Sequence, residues 1–179
     1  MFDATHYEVR QKLGIRTRYN VYEGDSDAPI LTAKKKKLKL KEDFRFTTPD
    51  GEEAFRVRAD SVLDIAAAYD IVDSRTGERV GSLQREVASF FKHEYTLVDA
   101  NGTRVAVLRE DNHLMAALRR LVTTLIPFSY DIVAPDGTSL GSVDEQFSFR
   151  DRYTIDLTGD LDPRLAVVGT VVVDAIEGN

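Results

Sequence analysis

Apolar and polar residues follow a repeated pattern along most of the chain. Each repeat opens with an aromatic residue, continues as an alternating apolar run, passes through a turn that contains glycine, and returns as a second alternating run. The aromatic residues stand at spacings of 25, 25, 26, 35 and 23 residues and are Tyr19, Phe44, Tyr69, Tyr95, Tyr130 and Tyr153. Alternation with a period of two is typical of β-strands, so the pattern predicts a series of β-hairpins.

Short turn sequences support the hairpins. Asp50-Gly51, Asn101-Gly102 and Asp136-Gly137 each stand between two alternating runs and supply residues that tolerate a positive φ. One further strand, from about Tyr7 to Lys12, precedes the first repeat, which brings the expected number to about twelve strands. An open antiparallel sheet of this size leaves two edges exposed, whereas closure removes them. We therefore predict a mainly β protein that forms a closed antiparallel β-barrel.

The C-terminal segment from Leu165 to Ile176 is apolar on every side, which is the pattern of a wholly buried element. Asp162 followed by Pro163 is typical of a helix start, with the aspartate as N-cap. About 14 helical residues measure about 21 Å, which is too short for a bilayer span. Because a barrel of about twelve strands has a bore that something must fill, we predict that this helix occupies it. The alternative is a central β-strand, since valine favours strands.

Residues 112–126 form an insert that lengthens one repeat. Four leucines recur at helical spacing and form an apolar stripe: Leu114, Leu118, Leu121 and Leu125. Arg119 and Arg120 flank this stripe. This pattern predicts an extra amphipathic helix. It is either a lid packed on the barrel or a surface that docks on a membrane or a partner protein. The whole chain, residues 1–179, is expected to form a single domain.

Composition narrows the classes of function. The net charge of −6 argues against nucleic-acid binding, because surfaces that bind nucleic acid usually show a basic excess. The chain has no cysteine, which excludes disulfides, thiol nucleophiles and cysteine-ligated metals. The first residues lack a basic segment followed by an apolar one, so no secretory signal is recognised. We expect a cytoplasmic protein, or one peripheral to the membrane.

The sequence contains no recognised catalytic or metal-binding motif. Its histidines, His6, His93 and His113, lie far apart without a second ligand at metal-binding spacing. A phosphate-binding loop and a serine nucleophile elbow are also absent from the sequence. We predict that the protein is not an enzyme and needs neither a metal nor a cofactor.

Lysines are concentrated in one short segment. Six of the eight in the chain fall between positions 34 and 41, and they are Lys34, Lys35, Lys36, Lys37, Lys39 and Lys41. On a strand, the last three of these would share one face at intervals of about 7 Å and could hold phosphate groups. Arg45, Arg56 and Arg58 follow nearby in the sequence. The competing interpretation is a solvated face that protects a sheet edge and binds no ligand.

The chain resembles the LURP-one-related family in three features. These are the repeated hairpins, the segment from Glu145 to Ile155, and Asp162-Pro163-Arg164 before an apolar helix. This family belongs to the tubby C-terminal-like superfamily, which also includes the phospholipid scramblases. The resemblance extends from about Tyr7 to Glu177 and implies a barrel around a hydrophobic C-terminal helix. Tubby domains bind phosphoinositide headgroups through basic residues on the barrel wall, but this chain does not match that site residue by residue. The insert at 112–126 is not covered by the resemblance.

These observations predict a non-enzymatic binding module. Its expected ligand is an anionic phospholipid headgroup, or a phosphorylated ligand, at the membrane surface. The lysine-rich segment is the expected binding site. The alternative is a structural scaffold that contacts a partner protein and takes no small-molecule ligand.

Overall fold

The fold consists of twelve strands and one helix in the described residues. The computed structural model describes residues 1–12, 17–35, 44–59, 68–85, 94–110, 129–146 and 152–177. The insert at 112–126 lies outside these ranges, so its predicted helix stays a prediction. The elements are β1 (His6–Lys12), β2 (Thr17–Glu23), β3 (Leu31–Lys35), β4 (Phe44–Thr47), β5 (Glu53–Ala59), β6 (Ala68–Asp73), β7 (Arg79–Arg85), β8 (Glu94–Asp99), β9 (Arg104–Glu110), β10 (Ser129–Val133), β11 (Ser139–Gln146), β12 (Arg152–Leu157) and α1 (Pro163–Glu177).

The twelve strands close into one antiparallel barrel. Each strand pairs with its neighbours in the chain, and β1 pairs with β12 to complete the ring. In that closing pair, Val9 lies opposite Tyr153 and Tyr7 lies opposite Ile155. All four of these side chains are buried, at 3% exposure or less. The predicted closed antiparallel barrel is confirmed.

The two ends of the barrel are built differently. Six turns lie at one end, which we call the turn end: residues 24–30, 48–52, 74–78, 100–103, 134–138 and 158–162. In two of them, Gly102 and Gly137 have φ angles of 85° and 90°, as the predicted hairpin sequences require. At the opposite end, odd-numbered strands finish and even-numbered strands begin. We call the two terminal residues of each strand at that end the rim.

The aromatic residue of each repeat lies near the start of an even-numbered strand. Because these strands all begin at the rim, the repeat places its aromatic residues in a layer at one end of the barrel. Four of them are tyrosines that are buried to 95% or more: Tyr19, Tyr95, Tyr130 and Tyr153. Tyr95 donates a hydrogen bond through its hydroxyl to Glu177, at the end of α1. The layer therefore surrounds the C-terminal end of the helix.

The helix α1 fills the bore, as the sequence predicts. Its side chains from Leu165 to Ala175 are all buried, and it packs against β6, β7 and β8. The N-cap is Asp162, whose carboxylate accepts a hydrogen bond from the backbone N–H of Arg164 at 2.9 Å. The alternative of a central β-strand is wrong, because closure of β1 on β12 leaves no position for another strand.

Two glycines at the contact between barrel and helix predict effects of different size for the same substitution. A Cβ on Gly81 would lie 2.3 Å from the carbonyl oxygen of Val98, which is backbone and cannot move alone. A Cβ on Gly169 would lie 2.9 Å from Cδ2 of Leu97, a flexible side-chain atom. We expect Gly81→Ala to lower the free energy of unfolding by about 2 kcal/mol. Gly169→Ala should stay within about 1 kcal/mol of wild type, because alanine favours the helix.

Urea unfolding of the two variants tests this contact. Each variant adds one methyl group to the same interface, so each is the control for the other. Equal stability of Gly81→Ala and wild type would show that β7 is packed less closely against β8 and α1 than the structure indicates.

Candidate functional site

Three cations lie side by side on neighbouring strands at the rim. In the register of β1 and β2, Lys12 is paired with Arg18. In the register of β2 and β3, Arg18 is paired with Lys34. We call these three residues the basic row. Neighbouring strands are separated by about 4.8 Å, so the row spans about 10 Å across the sheet.

The basic row faces outward. Its three side chains are exposed, whereas the adjacent residue on each strand is buried: Gln11, Tyr19 and Ala33, at 4%, 0% and 0% exposure. Successive side chains of a strand point to opposite faces of a sheet. The row therefore lies on the convex wall of the barrel, open to solvent.

No carboxylate in the part of the chain that the structure describes neutralises the basic row. The cations on β4 and β5, further round the wall, do have a carboxylate partner. Arg45 and Arg56 are paired across β4 and β5, and both contact Glu53, at 3.2 Å and 2.7 Å. Like charges directly opposite each other destabilise a sheet. The basic row thus has a repulsion that a bound anion would relieve.

On the other side of the basic row, the cations of the wall have a carboxylate partner. Arg10 and Arg152 are opposite each other on β1 and β12 and share the carboxylate of Glu8. The hydrogen bond from Arg10 is the main reason why the pKa of Glu8 lies below its ordinary value, so this carboxylate is charged at neutral pH. The guanidinium of Arg10 also stacks over the ring of Tyr22, at 4.0 Å.

The structure covers only part of the predicted lysine site. Lys34 and Lys35 are the last residues of β3, while Lys36, Lys37, Lys39 and Lys41 lie outside the described residues. Arg58 lies on β5 opposite Asp70, away from the basic row. Lys34 is paired with Arg18 of β2, whereas the pairs between β3 and β4 involve Thr32 and Ala33, so a solvated sheet edge stays the competing interpretation of Lys34.

Sequence reasoning missed Lys12 and Arg18. Each is a single basic residue in a mixed segment, and only the pairing of β1 with β2 and of β2 with β3 brings them beside Lys34. The signal was present in the alternation of β1 and β2, which places both residues on the outer face. It could be used only after the register between the strands was known.

The buried tyrosines at the rim have a structural role. Burial is the main cause that raises the pKa of Tyr95, Tyr130 and Tyr153 above the ordinary value. The hydrogen bond to Glu177 raises the pKa of Tyr95 further. These phenols are therefore neutral at physiological pH and serve as packing groups rather than as proton carriers.

A cavity of about 430 Å³ opens at the turn end, beside the start of α1. Its polar wall is already neutralised, because Arg164 contacts Asp162 at 2.7 Å and reaches Asp73 at 4.0 Å. The apolar wall includes Phe2, whose ring packs edge-on against the ring of Phe55, with 5.7 Å between the ring centroids. Arg75 also lines the cavity, and both carboxylates of the lining, Asp73 and Asp162, lie within ion-pair distance of Arg164.

Metal ligands and histidines are the remaining candidates for chemistry in the ranges that the structure describes. Within them, no group of three or more His, Asp and Glu side chains is arranged to hold a metal ion. His6 lies on the outer wall with its Nδ1 2.6 Å from a carboxylate oxygen of Asp156. His93 and His113 are outside the described residues.

A closed twelve-stranded barrel around its own C-terminal helix is the architecture of the tubby C-terminal-like proteins. The model of one family within that class, described as LURP-one-related, matches residues 29–174. The chain belongs to the LURP-one-related family.

A solved X-ray structure of a protein from Arabidopsis thaliana is similar at 11% sequence identity and a TM-score of 0.37, over 98% of this chain and 93% of that chain. No curated protein matches the sequence. Within the described ranges, no helix has the length and apolar character that a membrane span requires.

Proposed function

We propose that this protein is a non-enzymatic binding module that holds an anionic, phosphate-bearing ligand on the basic row at the membrane surface. The observation that carries the proposal is the register, which aligns three exposed cations on three neighbouring strands. Sequence reasoning placed the same chemistry on the lysine-rich segment that begins at Lys34, the third member of the row. The row and the segment thus share Lys34.

The chemistry of the row fits phosphate. Arg18 stands at its centre and offers a planar guanidinium that can donate two parallel hydrogen bonds to phosphate oxygens. Lys12 and Lys34 flank it as point charges on flexible stems. Each lysine or arginine near an anionic lipid surface contributes about 1 kcal/mol to binding. Three together contribute about 3 kcal/mol, enough for reversible attachment but not for permanent anchoring.

Vesicle flotation with the wild-type chain tests the proposal. We expect binding to vesicles of phosphatidylcholine mixed with phosphatidylserine, and little binding to phosphatidylcholine alone. Raising the salt from about 0.1 M to about 1 M shortens the Debye length from about 10 Å to about 3 Å and should release most of the bound protein. Equal binding to both kinds of vesicle, or binding that salt does not change, would rule the proposal out.

A competition arm separates the two sources of phosphate. Inorganic pyrophosphate is added to the flotation at constant ionic strength. Release of the protein at low concentrations of pyrophosphate indicates a site for a soluble phosphorylated ligand, and retention indicates an extended lipid surface. A chain that floats with neither kind of vesicle but captures a partner protein would favour the scaffold function instead.

A further inference from the structure

The two ends of the barrel carry opposite charge. The six turns of the turn end hold eight carboxylates and one arginine: Asp25, Asp27, Asp50, Glu52, Glu78, Asp136, Asp160 and Asp162, with Arg75. The rim of the twelve described strands holds nine cations and three carboxylates: Lys12, Arg18, Lys34, Lys35, Arg45, Arg58, Arg85, Arg109 and Arg152, with Glu94, Glu110 and Glu145. The net charge of −6 for the whole chain conceals this separation.

The cations of the rim are spread around the barrel rather than gathered at one point. They stand on eight strands: β1, β2, β3, β4, β5, β7, β9 and β12. Three of them, Arg45, Arg109 and Arg152, contact the carboxylates of Glu53, Glu94 and Glu8 at 3.2, 3.3 and 3.5 Å, so the net charge of the rim is smaller than its number of cations. Strand spacing and tilt give a twelve-stranded barrel a diameter of about 24 Å. A single phosphate group cannot reach charges distributed over such a circle, whereas a flat anionic surface faces all of them together.

We propose that the rim is the docking surface for an anionic lipid bilayer, and that the barrel stands end-on with the turn end directed away from the membrane. This inference rests on the proposed function and adds to it the partner, which is a bilayer, and the orientation. It places the basic row at the membrane as one sector of a wider ring of cations.

Charge separation along the barrel axis supports this orientation. A strand of seven residues tilted by about 40° rises about 18 Å along the axis. The Debye length at physiological salt is about 8 Å. The turn end is therefore more than one Debye length from a bilayer that the rim contacts, so its carboxylates are screened from the negative surface. Any orientation that brings the turn end to the bilayer places those carboxylates against anionic headgroups.

Single cysteines in this cysteine-free chain test the orientation. Gln84→Cys marks the rim on β7, across the barrel from the basic row. Ala100→Cys marks the turn end on that far side, and Ala28→Cys marks the turn end below the basic row. All three positions are exposed and uncharged. Each variant is labelled with bimane and bound to phosphatidylserine vesicles that contain a lipid with a nitroxide on its headgroup, which quenches only at short range.

End-on docking predicts that the label at position 84 loses most of its fluorescence, while those at 28 and 100 keep nearly all of it. Docking by the side wall would quench position 28 and spare position 84, which overturns the orientation but leaves the proposed function intact. Quenching at positions 28 and 100 with none at position 84 would place the turn end at the membrane, which also overturns the proposed orientation. Failure of all variants and of wild type to bind the vesicles would overturn the proposed function together with this inference.

Discussion

Removal of residues 162–179 should leave a chain that does not fold. The deletion takes away the N-cap and the whole of α1, which lies inside the barrel from end to end. Twelve strands cannot collapse onto one another once the helix is absent, because the circumference of the ring keeps opposite walls apart. The expected product is aggregated or unfolded protein without a cooperative thermal transition, measured by far-UV circular dichroism and light scattering.

The free energy that burial of the helix contributes supports this expectation. Six valine and leucine side chains of α1 are at least 97% buried: Leu165, Val167, Val168, Val171, Val172 and Val173. Burial of one such side chain contributes about 1.5–3 kcal/mol, so the six contribute about 9–18 kcal/mol. A whole domain is typically stable by only about 5–15 kcal/mol. Loss of the helix therefore removes as much free energy as the entire fold has to spare.

A matched pair of point variants separates loss of the core from a general effect of truncation. Val171→Asp places a carboxylate in the bore, where the wild-type side chain is 0% exposed, and should unfold the protein at room temperature. Ile176→Asp makes the same kind of change on the last turn of the helix, where the side chain is only partly buried, and should leave the fold intact. A truncated chain that stayed soluble and β-rich with a cooperative melt would contradict the helix-filled barrel.

The sequence contained enough information to predict the barrel and its helix. The aromatic spacing and the Asp-Gly and Asn-Gly turns are local signals, and each maps onto a strand start or a turn of the structure. Asp162 with Pro163 marked the start of α1 for the same reason, since capping depends on neighbours in the chain. Closure followed from the number of strands, because an open sheet of that size leaves edges exposed.

The candidate site could be predicted only in part because it depends on contacts between strands. Lys34 was found because it opens a run of lysines, which is a local signal. Lys12 and Arg18 join it only through the register, and a shift of one residue would turn either side chain to the inside of the barrel. The charge difference between the ends has the same origin, since it appears only when alternate connections are assigned to opposite ends of the barrel.

Replacement of the basic row should weaken binding to anionic vesicles on the order of a hundredfold. The variant Lys12→Gln, Arg18→Gln, Lys34→Gln removes three cations that each contribute about 1 kcal/mol near an anionic surface. Folding should be little affected, because the three side chains are exposed and make no ion pair with the described residues. The slope of affinity against salt concentration should fall with the loss of charge.

A second triple variant controls for net charge. Arg75→Gln, Arg79→Gln, Arg104→Gln makes the same change of three charges with exposed residues at or beside the turn end. Arg79 contacts Asp70 at 2.9 Å on the surface, and loss of such an exposed pair costs at most about 1 kcal/mol of stability. This variant should bind the vesicles as wild type does.

The most direct test is the affinity of the three proteins for phosphatidylserine vesicles, measured side by side by flotation at constant salt. The variant of the basic row should bind on the order of a hundredfold more weakly than wild type, while the variant of the turn end should keep wild-type affinity. Equal affinities for the two variants would show that the position of the charges on the barrel has no influence on binding, and the basic row would then not be the binding site.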